Sequence, residues 1–230
     1  MTASTTQPQV LSTTAGDFPL HEYHVRLGGR EWSLLHTGAI LSQDDEDRYL
    51  NSEERDKLPY GIVLWPAAIA LAHDLAARGD ELRTKTVLEL GAGTGLPGMV
   101  AASLGARVEQ TDRLDLVLGV CKRNGERNGV LDIEYRLADW TQWDDRVRYD
   151  FILGADVLYG QALHPHLRRI FETNLAPGGR ILLSDPFRKP SLKLLEELEA
   201  DGWTIAMSKW TVATDAPARA IGVFELAPPK

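Results

Sequence analysis

The 230-residue chain is long enough for one large domain or two small ones, and 43% hydrophobic residues suffice for one sizeable core. Its 33 acids against 25 bases give a net charge of −8, which disfavours nucleic-acid binding, since that calls for a basic face. The single cysteine, Cys121, excludes an internal disulfide and any multi-cysteine zinc site. No run reaches the roughly 18–20 apolar residues that a membrane span needs. There is no charged-then-apolar leader either, so a cytoplasmic protein without membrane contact is expected.

In chain order, residues 1–17 are rich in Thr, Ser and Gln and are expected to be a disordered tail. Residues 21–27 and 31–35 flank Gly28-Gly29-Arg30, a β-hairpin signal. Residues 44–57 carry seven acids and three bases and are expected to be a solvated loop or helix face. From Trp65 to about Arg78 the pattern is helical: Pro66 suits the first turn, Ile69, Ala72, Leu75 and Ala76 form an apolar stripe, and Gly79 ends it. Strand and helix signals then alternate. Strands are expected over 84–90, 107–111, 133–137, 149–154 and 180–184, with helices over 96–104, 114–128, 163–175 and 191–200. Residues 176–179 (Ala-Pro-Gly-Gly) are expected to be a turn, and 203–208 and 220–226 two closing strands. No internal repeat is present. Such alternation predicts an α/β fold whose mostly parallel sheet has helices on both faces, with ligands bound beyond the carboxyl ends of the strands.

The run Val87-Leu88-Glu89-Leu90-Gly91-Ala92-Gly93-Thr94-Gly95-Leu96-Pro97 carries the most information. A buried strand leads into a glycine turn that lets the backbone approach a ligand, and a helix follows. The spacing is neither the dinucleotide fingerprint, G-x-G-x-x-G, nor a P-loop, since no Lys-Ser/Thr follows. The turn alone could be an ordinary tight connection. Asp112 lies 21 residues after Gly91 and ends the next strand; it could accept both ribose hydroxyls of an adenosine, or simply cap the strand end. Asp139 could accept an adenine amine, and Trp140 could stack on the ring or pack in the core. Ala155-Asp156 ends a fourth strand. These elements stand at the carboxyl ends of successive strands and would meet there.

Over about residues 58–226 the chain resembles the class I, seven-β-strand S-adenosylmethionine-dependent methyltransferases. The resemblance implies a Rossmann-like seven-stranded core over 61–230, with 18–60 contributing the hairpin and acidic segment of a single domain. It implies that Gly91, Gly93 and Gly95 contact the methionine part of the cofactor, that Asp112 holds the ribose and that Glu89 orders the turn. Asp156-Val157-Leu158-Tyr159 is similar to the D-x-x-Y element of the protein-lysine methyltransferases of this type. In that group a tryptophan-bearing segment, here Pro59 to Ala68 with Trp65, helps close the cofactor site. Asp185-Pro186-Phe187-Arg188 resembles the subgroup acting on the electron-transfer flavoprotein β-subunit, although Trp65-Pro66-Ala67-Ala68 stands where that subgroup has Trp-Pro-Gly-Gly.

The resemblance thus implies methylation of a lysine amine on a protein partner, with Asp156 and Tyr159 at the amine and Trp65, Glu89, the three glycines, Asp112, Asp139, Trp140 and Ala155 around the cofactor. A carboxylate favours the ammonium form, so Asp156 is read as orienting the amine more than deprotonating it. A small-molecule amine substrate and a cofactor-binding scaffold without turnover are the alternatives. His164-Pro165-His166 lacks partners for a metal and is expected at the surface. Ser184-Asp185-Pro186-Phe187 follows the wrong strand for the N/D/S-P-P-Y/F loop of adenine and glutamine methyltransferases. Trp32, Trp143, Trp203 and Trp210 are expected to be packing residues.

Overall fold

The computed structural model describes residues 9–13, 16–37, 60–213 and 218–229. Three antiparallel strands open it: β1 (Gln9–Thr13), β2 (Gly16–Leu27) and β3 (Arg30–His36). The hairpin expected around Gly28 joins β2 to β3. Residues 9–13, expected in the disordered tail, instead pair with residues 16–20. The reason is burial: Leu11 joins Leu20, Leu35, Ile62, Val117 and Val120 in one apolar cluster, while its neighbour Val10 faces solvent. The expected acidic face at 44–57 lies outside the described residues.

After α1 (Pro66–Arg78) the chain runs through β4 (Thr86–Leu90), α2 (Leu96–Ser103), β5 (Arg107–Asp112), α3 (Asp115–Arg127) and β6 (Ile133–Leu137). It continues with β7 (Tyr149–Ala155), α4 (His164–Asn174), β8 (Leu175–Asp185), α5 (Lys189–Ala200), β9 (Thr204–Val212) and β10 (Arg219–Ala227). The seven-stranded sheet has the order β6-β5-β4-β7-β8-β10-β9. Its first five strands are parallel, and β10 is antiparallel to both β8 and β9. Both faces are covered at the centre of the sheet, so β4, β7 and β8 carry buried apolar runs there. Val87, Phe151, Leu153 and Leu182 join α1 and α2 in one core, and Leu88, Ile152, Ile181 and Leu183 join α4 and α5 in the other. The chain leaves β4 in one direction and later returns through β7 on its other side. The crevice at the carboxyl ends of β4 and β7 is therefore the topological switch point where ligands bind.

Two expectations differ locally. Thr84 is in a turn at φ 64°, and β4 starts at Thr86. Residues 176–179 do not form a turn before β8 but a bulge within it. Tyr149 pairs with Leu175 and Phe151 with Arg180, so four residues stand against Asp150 alone. Trp32, Trp143 and Trp203 are buried, and Trp210 stacks on His73 with ring centroids 5.5 Å apart. Among the described residues no helix is long and apolar enough to cross a membrane.

Candidate functional site

The glycine turn leaves β4 at Leu90 with Gly91, Gly93 and Gly95 at φ 64°, 57° and 82°. Ala92 N donates to Thr111 O (2.9 Å), holding the turn over the end of β5. The segment before α1 crosses so close that a β-carbon at Gly93 would stand 2.9 Å from the Gly61 carbonyl oxygen. On the other side, a β-carbon at Gly91 would meet Val157 Cγ1 at 3.2 Å and Trp140 Cζ2 at 3.3 Å. Positive φ and this crowding together demand glycine. They also bring three separate strand ends onto one turn.

Beneath the turn lies a buried polar layer. Glu89 Oε2 accepts hydrogen bonds from Gly98 N (3.0 Å) and Gln110 Nε2 (2.6 Å). Gln110 Nε2 also donates to Gly95 O (2.9 Å), and Cys121 Sγ donates to Gln110 Oε1 (2.9 Å). Desolvation pushes the Glu89 carboxyl up to about 8 and the Cys121 thiol well above its ordinary value. Asp112, at the end of β5, accepts from Leu114 N (3.2 Å) and, at 3.4 Å, from Gly93 N. Its carboxyl is raised, chiefly by burial.

Asn124 on α3 reaches the turn from the side. Its Nδ2 donates to Thr94 O (2.9 Å) and Leu35 O (3.2 Å), and its Oδ1 accepts from Leu35 N (2.7 Å). One turn further along α3, Asn128 repeats the pattern on Ser33, accepting from its N–H (3.0 Å) and donating to its carbonyl (2.8 Å). The spacing of i and i+4 on a helix matches that of i and i+2 on a strand, so two side-chain amides pair with the edge of β3.

After β6, Asp139 is exposed and its Oδ1 accepts from Thr141 N (2.8 Å) and Oγ1 (2.7 Å), which lowers its pKa. It caps the short 3-10 turn that sets Trp140, half-buried, against Gly91. Trp65 is half-buried just ahead of α1, four residues after Gly61.

The fourth strand end is the most strained. Ala155 closes β7 opposite Ser184. Asp156 follows at φ 57°, its N–H bonded to Ser184 O (2.8 Å), and Phe187 beyond β8 sits at φ 64°. For these side chains such backbone is costly, by about 1–3 kcal/mol each. Between the two, Asp156 Oδ2 and Arg188 Nη2 form an ion pair at 2.7 Å, with side chains only 6% and 10% exposed. Asp185 is buried below: Oδ1 accepts from Arg188 N (2.7 Å) and Oδ2 from Ser191 Oγ (2.5 Å). Burial raises its pKa. Tyr159 stands half-buried three residues after Asp156. His164, expected at the surface, is instead buried at the start of α4, where its Nε2 finds a partner by donating to Leu158 O (2.9 Å). Among the described residues no His, Cys, Asp or Glu cluster could hold a metal.

The glycine turn, Asp112, Trp140 and the Asp156 end of β7 therefore converge, whereas the Asp139 carboxylate is engaged in its own turn. Sequence reasoning missed Gln110, Asn124 and the pairing of Arg188. The signal for the last was a cationic residue in one strand-end loop beside a carboxylate in the next.

A family model described as "Lysine methyltransferase" matches residues 44–197. The chain is 39% identical over 137 residues to a protein named protein N-lysine methyltransferase METTL21A from Xenopus tropicalis, covering 57% of this chain and 63% of that one. It is 36% identical over 157 residues to the Danio rerio protein of the same name, covering 66% and 72%. To a histone-arginine methyltransferase METTL23 from Xenopus laevis it is 31% identical over 144 residues, covering 60% of each. The chain thus spans between about three-fifths and three-quarters of these relatives. The fold is similar to a magnesium protoporphyrin IX methyltransferase from Synechocystis with bound SAM, at a TM-score of 0.56 and 19% identity, covering 82% of this chain and 99% of that one.

Proposed function

Because the chain belongs to the lysine methyltransferase family, we propose that it is an S-adenosylmethionine-dependent enzyme that methylates the side-chain amine of lysine on a protein, at the carboxyl ends of β4 and β7. The observation that carries this is the convergence on one glycine turn of the Asp112 carboxylate, Trp140 and, through Val157, Asp156. The residues fit the cofactor: the turn is a cradle that a single β-carbon would fill, it carries no phosphate-binding Lys or Arg, and Asp112 is a buried acceptor for ribose hydroxyls. Gly91, Gly93 and Gly95 would take the methionine end, Glu89 and Gln110 would hold the turn, and Trp140, Asp139 and Ala155 would border the nucleoside. Bound there, S-adenosylmethionine supplies a sulfonium-activated methyl group and leaves as S-adenosylhomocysteine.

The chain's own work is alignment, because an in-line displacement gains most from fixed geometry. Lysine must arrive neutral, which in water at pH 7 costs about 4–5 kcal/mol. Asp156 would orient the amine, while Trp65 and Tyr159 would wall the approach and strip its water, lowering that cost. A protein partner and a cytoplasmic location belong to the same reading. The experiment is incubation with methyl-labelled cofactor and cell lysate, followed by mass spectrometry of the labelled residue. Label on a lysine that disappears with Asp156→Ala supports the proposal. Label only on small molecules, on arginine, or undiminished by Asp156→Ala overturns it.

A further inference from the structure

A carboxylate at an amine site poses a difficulty, since it holds an approaching lysine as the ammonium ion, which cannot attack. The structure contains an answer in Arg188. Its guanidinium meets Asp156 at 2.7 Å with both side chains nearly closed to water, so the pair presents no net charge. The geometry is fixed from both sides: Asp156 is anchored by its N–H on Ser184 O (2.8 Å), and Arg188 by its N–H on Asp185 Oδ1 (2.7 Å). Asp185, the neighbouring acid on the β8 side, is engaged through both oxygens and sits below the pair.

We propose that Arg188 is a positioning residue for the methyl transfer: it balances the charge of Asp156, so that the site orients an amine through a hydrogen bond without selecting its cation. This rests on the reading of Asp156 as facing the amine. Screening is weak where water is excluded, so the net charge of the pair should set the preference for a cationic or a neutral arm.

Two S-adenosylhomocysteine analogues test this, with nitrogen replacing sulfur and carrying either a 4-aminobutyl or an n-pentyl arm of the same length. Their binding is measured by calorimetry at pH 7. Arg188→Met makes the site more negative by one charge and should bind the aminobutyl analogue about tenfold more tightly than the parent protein. Asp156→Asn makes it more positive by one charge and should bind it about tenfold more weakly. The double variant, Asp156→Asn with Arg188→Met, restores the parent's charge and should return to within about threefold of the parent, as should Arg188→Lys. The pentyl analogue should bind all of them alike. A merely structural ion pair would move both single variants in the same direction, which overturns the inference, as does Arg188→Met binding no tighter than the parent. Should the methionine variant fail to fold, Arg188→Gln serves in its place. If Asp156→Asn leaves the aminobutyl analogue's affinity unchanged, Asp156 does not face the amine, and the reading beneath the inference falls with it.

Discussion

Glu89 is buried under the glycine turn with its carboxyl pushed up to about 8, chiefly by desolvation. In the unfolded chain it ionises near the ordinary 4.5. Between these two values the folded form keeps a proton that the unfolded form releases. Its contribution to stability is therefore complete below about pH 4.5 and is lost as pH rises towards 8, at up to about 1.4 kcal/mol per pH unit. Glu89→Gln mimics the protonated form. Urea unfolding from pH 5 to 9 should show the variant gaining on the parent as pH rises, with the gap levelling off above pH 8. Asp112→Ala should weaken S-adenosylhomocysteine binding about 10- to 100-fold by calorimetry, the worth of one or two hydrogen bonds to a charged acceptor. Gly93→Ala should cost about 1–3 kcal/mol of unfolding free energy, because φ is 57° and the Gly61 carbonyl leaves no room for the methyl group. The acids and glycines of this site could be read from the sequence, because each stands at a strand end fixed by local pattern. Gln110, Asn124 and the Arg188 pairing could not, because their partners lie 11 to 89 residues away, a matter of packing alone.

Among the elements, helices α1 to α5 and the strands of the large sheet fall close to their expected ranges, since periodicity and end signals agree there. The bulge in β8 shows where composition misleads. Ala176-Pro177-Gly178-Gly179 has the make-up of a turn, yet Leu175 already pairs with Tyr149. The pairing partner, absent from any local window, overrides the residue preference. The edge of β3 was equally hidden, since its partners are two asparagines on a helix. Asn124→Leu would leave the Leu35 N–H and carbonyl and the Thr94 carbonyl without it, at a cost of about 2–4 kcal/mol. Hydrogen exchange should then show early loss of protection at the Leu35 amide, while central amides such as Ile152 in β7 retain theirs relative to global stability.

At the scale of the whole molecule, strict alternation of strand and helix made the seven-stranded sheet and its switch point readable in advance. The N-terminal three-stranded sheet is the part that composition divides from the rest. Its burial depends on contacts with α1 and α3 that no stretch of sequence displays, such as Leu11 and Leu35 in one cluster with Val117 and Val120. Removing residues 1–37 should therefore do more than delete an appendage. S-adenosylhomocysteine affinity should fall at least about tenfold, and the apparent melting temperature should drop, even though the glycines, Asp112 and Asp156 all remain.

Asn124 joins Leu35 to Thr94 through one side chain. Exchange of parts between relatives is thereby constrained. A chimaera that takes its first strands from another member of the family can keep these bonds, because the asparagines hold backbone groups of β3, whereas one that replaces Asn124 cannot. The element that must not change in a graft is the asparagine of α3, and a graft that loses Asn124 should blunt cofactor binding before it changes the choice of substrate.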